Sequence, residues 1–331
     1  MKKKIFLLFL PVWIPAILFA QSNTVGKNES VAQATIVPSF STNGIYSSRF
    51  SNILSFNVIV GKSENERGFA FGSIANIITN NTTGLQIAGI CNHVKNEGKG
   101  VLISGIANFN SNTHQGVLLS GLFSSAREIK GLQLSGLLNK AEDIDGVQFS
   151  GLANWANNVS GVQIAGLVNI AKNSDIPIGL INIIGNGEYG IALTYNDFGS
   201  TLLTFRSGSK ITYGILGLGY NHETKDNSFV GVGGLGANIN VASWFRIKNE
   251  LSIESILNFS DEKTFKAGYY LMPAIHFRHF EIFGGPSVCY FQTDNMANMD
   301  LLCKHPRWEN VSTSKIQQVY YGFQFGVQYL F

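Results

Sequence analysis

Residues 161–169 read GVQIAGLVN, and close copies stand at 146–154 (GVQFSGLAN) and 84–92 (GLQIAGICN). The pattern returns at Gly68, Gly84, Gly100, Gly116, Gly131, Gly146 and Gly161, at spacings of 16, 16, 16, 15, 15 and 15 residues. The first copy, GFAFGSIAN, is looser, and a degenerate eighth ends in IGLIN at 178–182. A fixed period of this kind marks a repeat architecture. The first and sixth sites are usually glycine, which permits tight corners or close backbone approach. The second, fourth and seventh are mostly apolar, as in Val162, Ile164 and Leu167. The ninth is asparagine at Asn76, Asn92, Asn108, Asn139, Asn154 and Asn169, with Ser124 the exception.

Two architectures fit this period. In a β-solenoid each repeat is one coil that buries a side only against its neighbours. The apolar sites would then fill a narrow core, and the asparagines would form a hydrogen-bonded ladder from coil to coil. Seven coils at roughly 4.8 Å would make a rod of about 34 Å. A membrane-spanning strand of about 10 residues plus a turn would recur at a similar interval. The recurring asparagine favours coils, because adjacent antiparallel strands have no reason to repeat it in one place. Hydrogen bonding within the stack is the expected role of these asparagines, ahead of ligand or ion binding.

Beyond the repeats the hydrophobic period becomes two. Tyr189, Ile191, Leu193 and Tyr195 alternate with small or polar residues. Phe245, Ile247, Leu251 and Ile253 share one face of a strand whose other face carries Arg246, Lys248, Glu250 and Glu254. Counting back from the end, Phe331, Tyr329, Val327, Phe325, Phe323 and Tyr321 form an apolar, largely aromatic face. An exposed aromatic strand is an aggregation hazard in water, whereas strands apolar on one side and polar on the other suit a barrel in lipid. Polar segments at His222–Asn227, Ser260–Thr264 and Thr293–Ser314 alternate with tight connections at Ser207–Lys210, Ala242–Ser243 and Arg278. Long loops on one side and short turns on the other are the barrel pattern. Thr35–Phe40 and Asn52–Val60 also alternate. Added to about eight later strands, they predict about ten, with the repeat block inserted after the second. The expected organisation is all-β: first barrel strands within 31–61, repeats over 68–185 and barrel strands over 186–331.

Composition agrees. The 24 basic residues exceed the 21 acidic ones by Lys2, Lys3 and Lys4, which precede an uncharged apolar run to Ala20. That arrangement reads as a secretory signal over residues 1–20, and the chain beyond it is formally neutral. Neutrality argues against nucleic acid as a partner, since such binding needs a basic patch. Charged residues make up 14% of the chain, against about 25% in a typical soluble domain. Cys91, Cys289 and Cys303 form no framework or metal signature. Cys289 and Cys303 are near enough in sequence to close one loop, and isolated thiols are an equal expectation.

With an N-terminal strand pair, a GVQIAGLVN-type array and a tail ending in VQYLF, the chain resembles Gram-negative outer-membrane β-barrel proteins that carry G-[VL]-Q-x-[AS]-G-[LI]-x-N surface repeats. The resemblance implies an outer-membrane location, lipid as a partner, and recognition of the Phe331 strand by the barrel-insertion machinery. It brings no catalytic residue and no cofactor.

Other motifs carry little chemistry. Gly231, Gly233 and Gly236 spell GxGxxG but lie in a glycine-rich strand with no helix after it, and a dinucleotide site needs that helix. His276 and His279 are spaced HxxH, which on a strand puts them on opposite faces, so no metal site is expected. Arg246, Lys248, Glu250 and Glu254 are expected to fill a barrel interior as a charge network. The leading functional expectation is a non-enzymatic surface, scaffold or binding protein with an unidentified protein or surface ligand. A small channel or transporter is the alternative, and a lipid hydrolase built on a Ser–His276 pair is a third.

Overall fold

The computed structural model describes residues 28–224, 229–257, 264–294, 301–312 and 315–331. The expected signal at 1–20 lies outside them, as do parts of the three polar segments. No described helix is long and apolar enough to cross a membrane. Two β systems account for nearly all the described chain: a parallel stack of about nine coils followed by a closed antiparallel barrel of eight strands.

In the stack each coil contributes a longer and a shorter strand, such as Asp143–Ser150 and Ala153–Trp155. Equivalent residues pair in parallel, so Gly100, Gly116, Gly131, Gly146 and Gly161 stand in one column. Gly146 has φ +137°, and a Cβ there would lie 2.1 Å from the carbonyl oxygen of Gly131. The sixth-site glycines form a second crowded column, where a Cβ on Gly166 would lie 2.2 Å from the Gly151 carbonyl. Both columns exclude any side chain.

The interior of the stack is partly polar, and its rows are not the apolar sites expected to fill it. Gln163, Ala165 and Asn169 are buried, at 0%, 4% and 0% exposure, whereas Leu167 is 49% exposed. Val162 and Ile164 also turn outward and are only half-buried. The inward rows are the third, fifth and ninth sites, joined by Ala141, Ala156 and Ala171 and by Ile129, Ile144 and Val159. The interior takes the amides because each bonds the coil beside it, and the same third site also holds Leu102 and Leu118, at 1% and 0% exposure; strand alternation about these inward rows turns the second and fourth sites outward. Asn92 donates from Nδ2 to Asn108 Oδ1 (3.0 Å) and to the Ile103 carbonyl (2.8 Å). Asn139 does the same with Asn154 Oδ1 (3.1 Å) and the Phe149 carbonyl (2.6 Å). Both amide protons are thus used, and the ladder continues from Asn57 to Asn182, broken at Ser124, which bonds Ser120 instead. A second ladder, of glutamines, links Gln163 to Gln148 and Gln148 to Gln133, each at 2.9 Å.

The two N-terminal segments belong to the stack and not to the barrel. Asn28–Val37 pairs in parallel with Phe50–Asn57, which pairs in parallel with Asn65–Gly72. Leu54 and Phe56 lie in register with Phe69 and Phe71, so their alternation matches a coil face. Gln33, Asn52, Ser55 and Glu66 extend the polar core there: Asn52 Nδ2 bonds Gln33 and Glu66, and Ser55 Oγ bonds Glu66 at 2.7 Å. The barrel therefore has eight strands rather than ten, and the repeat block precedes it instead of interrupting it.

Barrel closure joins the strand Glu188–Asn196 to Ile316–Leu330, with Ile191 opposite Tyr329 and Leu193 opposite Val327. Short turns follow Gly208, Ala242 and Phe277 at one end, and Arg278 in the last of them has φ 54°. The stack enters at this short-turn end and leans on the barrel's outer wall. Asn182 N donates to Ser207 Oγ (3.0 Å), Asn182 Nδ2 to the Ser207 carbonyl (3.1 Å), and Thr212 Oγ1 to the Pro177 carbonyl (2.7 Å).

Gly146→Ala combines a left-handed backbone with a carbonyl collision, and strain at such sites costs on the order of 1–3 kcal/mol before the clash is counted. Hydrogen exchange is expected to show lost protection in the coils around residues 131–161, with the barrel strands unchanged. Wild-type protection there would refute the stacked register.

Candidate functional site

Strand alternation sends every second barrel side chain into the lumen, and an eight-stranded barrel is just wide enough for side chains to fill. All four of the expected interior residues, Arg246, Lys248, Glu250 and Glu254, are buried there; the first three are linked through partners on other strands, with Arg206 and Lys248 meeting at Gln328 Oε1 (3.4 and 2.9 Å), and Glu254 stands apart. Glu250 pairs with Arg206 through two contacts, of 2.9 and 3.1 Å, and accepts from Tyr213 Oη at 2.7 Å. Arg246 and Lys248 converge on Glu281; Arg246 also reaches Glu188 at 2.8 Å, and Lys248 reaches Gln328 at 2.9 Å. Glu254 belongs to a separate cluster nearer the long-loop end. There it accepts from Asn196 at 2.7 Å, and Lys266 Nζ lies 3.4 Å from Glu254 and 3.6 Å from Asp197.

Arg206, Glu281, Lys266 and Asp197 are the partners that strand-by-strand reading missed. Each stands on or beside a different strand, and pairing across a lumen carries no signal in linear spacing. The inward parity of Glu281 and Lys266 was readable, since each stands between apolar neighbours, whereas Arg206 precedes Ser207 and Asp197 lies beyond the end of its strand. The Phe283 ring packs between the cations, 4.5 Å from the Arg206 guanidinium and 4.9 Å from Lys248 Nζ. Toward the long loops aromatic side chains join the second charge cluster, with Lys266 Nζ 5.3 Å from the Phe198 ring. Phe198 and Phe291 contact each other, and Leu301, Leu302 and Cys303 fold over them. A cavity of about 290 Å³ remains at this end, lined in part by Tyr195, Asp197, Glu223 and Tyr320.

The remaining motifs fall into structural places. Gly231, Gly233 and Gly236 lie on the strand Phe229–Ala242, where Gly236 accommodates the Tyr213 ring. His276 makes no side-chain hydrogen bond to a serine among the described residues, and His279 Nδ1 lies 3.2 Å from the Leu330 carbonyl. Cys91, Cys289 and Cys303 are free thiols. No group of three or more His, Cys, Asp and Glu side chains that could hold a metal occurs among the described residues.

In the stack, His114 takes an inward position against Gly98, whose missing side chain makes room for the ring. Neither ring nitrogen has a well-formed hydrogen bond, although backbone groups at Gly100 and Val117 lie close enough to soften the effect. Burial pushes the imidazole down to about 4. Glu66, buried in the first coils, is pushed upward by the same loss of solvent, against hydrogen bonds from Ser55 and Asn52.

No protein-family model, curated protein or solved structure matches the chain. The lumen's cations and carboxylates are held by one another, which braces the wall from within.

Two measurements test these assignments. Glu281→Gln strands Arg246 and Lys248 without their shared counter-charge, and breaking a buried pair costs about 3–5 kcal/mol. The urea midpoint of the barrel in detergent is expected to fall markedly, while the exposed pair partner Glu142, changed to Gln, leaves it unmoved. For His114 the folded value lies below the ordinary one, so the unfolded chain binds the extra proton. The stack's stability is then full above about pH 6.5 and declines as pH falls toward 4, by up to about 3 kcal/mol. Hydrogen exchange at Ala107–Ser120 between pH 7 and 4.5 should show that slope, and His114→Gln should flatten it.

Proposed function

We propose that the chain is an exported, non-enzymatic outer-membrane barrel protein of a Gram-negative bacterium, in which a rigid barrel anchors the repeat stack at the membrane as a scaffold or binding surface. The observation that carries this reading is the inversion of the barrel. Leu193, Leu203, Leu218, Leu251, Ile253 and Phe325 face outward and exposed, while Arg206, Lys248, Glu250 and Lys266 are buried inside. That arrangement suits lipid outside and is costly in water, where an apolar belt of this extent promotes association.

Further features support the same reading. Asn249, a polar residue on the outward face, is partnered by Tyr269 Oη at 2.9 Å. Phe331 ends an outward aromatic face suited to the barrel-insertion machinery, and the Lys2–Ala20 segment has the character of an export signal. The resemblance to Gram-negative surface-repeat barrels points the same way. A lumen filled by paired charges and aromatic side chains favours a scaffold over a channel. With short turns on the periplasmic side, the stack emerges there and the long loops face outward from the cell.

Membrane fractionation with a heat-modifiability gel tests this. The chain is expected in the outer-membrane pellet, with a different mobility when unboiled, and planar bilayers are expected to stay silent. Recovery as a soluble periplasmic protein would overturn the barrel-in-lipid reading, and steady conductance altered by Arg246→Ala would favour the channel.

A further inference from the structure

The partly polar interior of the stack has an outward counterpart. The seventh-site residues form a convex ridge in which Ile74, Ile90, Ile106, Leu122, Leu152 and Leu167 are each between 39% and 49% exposed. On one flank of this ridge lie the second- and fourth-site residues, including Phe149, and on the other lie the eighth- and tenth-site residues, including Trp155, also exposed. From Gly68 to Ile184 these five outward rows carry a single Lys or Asp/Glu charge, at Lys140. Charge is gathered on the remaining edge of the coils, at Lys95, Glu97, Lys99, Arg127, Glu142 and Lys172, all exposed. The stack is amphipathic along its length, in the sense usually met in interfacial helices.

We infer that this ridge and its flanks lie in the acyl boundary of the same bilayer that the barrel spans, so the repeat stack is a lipid-seated β-rod rather than a rod projecting into water. The inference rests on the barrel-in-lipid reading and goes beyond it. Its first support is continuity. The last residue of the ridge, Leu180, is seated on the barrel's outer wall: its Cδ2 lies 3.7 Å from the Cβ position of Gly233, and its carbonyl 2.2 Å from that of Gly214. Gly214 and Gly233 are outward-parity residues of their strands, and Leu235 and Ile239 continue the exposed apolar wall beside them. The ridge and the lipid-facing wall are thus one surface. The open edge of the last coil abuts the wall, and the other coils stack on its opposite edge, so the rod runs away from the wall along the short-turn rim. A row of eight coils extends about 34 Å at the parallel-strand spacing.

The second support is shape. Two apolar flanks meeting at a convex corner would leave one flank uncovered by a flat partner, including a second copy of this chain. Fluid acyl chains cover both. An element of this kind sinks about 5–10 Å into the headgroup–acyl boundary, which leaves the charged edge in the headgroups and water. The N-terminal tip is equally apolar, with Phe40, Ile45 and Tyr46 exposed.

The chain's own tryptophans test this. Trp155 is on the rod and Trp244 on a short turn of the barrel. Two full-length chains, each keeping one of these and carrying Phe at the other three tryptophan positions, are reconstituted into phosphatidylcholine vesicles with brominated acyl chains. The expected result is loss of Trp155 fluorescence comparable to that of Trp244, strongest with bromines near the headgroup. Leu137→Glu with Leu152→Glu should abolish the Trp155 quenching and leave that of Trp244. If Trp244 is quenched and Trp155 is not, the rod is outside lipid and the inference fails while the barrel reading stands. Cross-linked dimers that shield an unquenched Trp155 would assign the face to a second copy and overturn it equally. If neither is quenched, the barrel reading itself falls.

Discussion

The close stacking of coils is the constraint on which the rest of this molecule depends. Parallel backbones approach to hydrogen-bonding distance along the whole repeat block, and two columns of glycine carry carbonyl oxygens where a Cβ would have to be. A coil held that tightly has a thin interior. It holds alanine, serine, buried Ile, Val and Leu, and amides that donate to the coil above or below. Buried amides are costly unless bonded, and here the stacking supplies the bonds. The polar ladder thus requires the register, and the register requires the glycines.

With the third, fifth and ninth sites turned inward, strand alternation leaves the apolar second- and fourth-site side chains facing out. The stack thereby acquires an outward apolar face like the barrel's, around an interior of amide ladders and a buried row of aliphatic side chains. The barrel reaches it by a different route. Eight strands enclose a lumen wide enough for side chains, and that lumen is filled by Arg206–Glu250, by Arg246 and Lys248 on Glu281, and by Lys266 near Glu254 and Asp197. Buried pairs of this sort add little net stability over an apolar filling, but losing one partner is severe, so the set acts as a lock on strand arrangement. The two apolar faces meet where Leu180 lies on the outer wall.

Much of this was readable in the chain and some was not, for identifiable reasons. The glycine period, the asparagine column and the aromatic face ending at Phe331 were visible, because each is a local pattern. The inward parity of Arg246, Lys248, Glu250 and Glu254 was visible for the same reason. Their partners were not, since Arg206, Glu281 and Lys266 arrive from other strands through closure of the sheet. Thr35–Phe40 and Asn52–Val60 were misassigned to the barrel because alternation with period two describes a coil face and a barrel strand equally well. Only the parallel pairing of Asn28–Val37 with Phe50–Asn57, and of Phe50–Asn57 with Asn65–Gly72, separates the two.

By itself the sequence determined that the chain repeats, where each coil begins, that asparagines would stand in line, and that the second half alternates between two faces. It did so because periods of 15–16 and of two residues are properties of neighbours along the chain. The tertiary structure decided which face is inside. Alternation has a period but no sign, and in the stack the sign goes with the amide ladders, whose coil-to-coil bonds stand with Gln163 and Asn169 inward and Val162, Ile164 and Leu167 outward. It also decided the strand count, because closing a barrel at Ile191 and Tyr329 joins residues that are far apart in the chain.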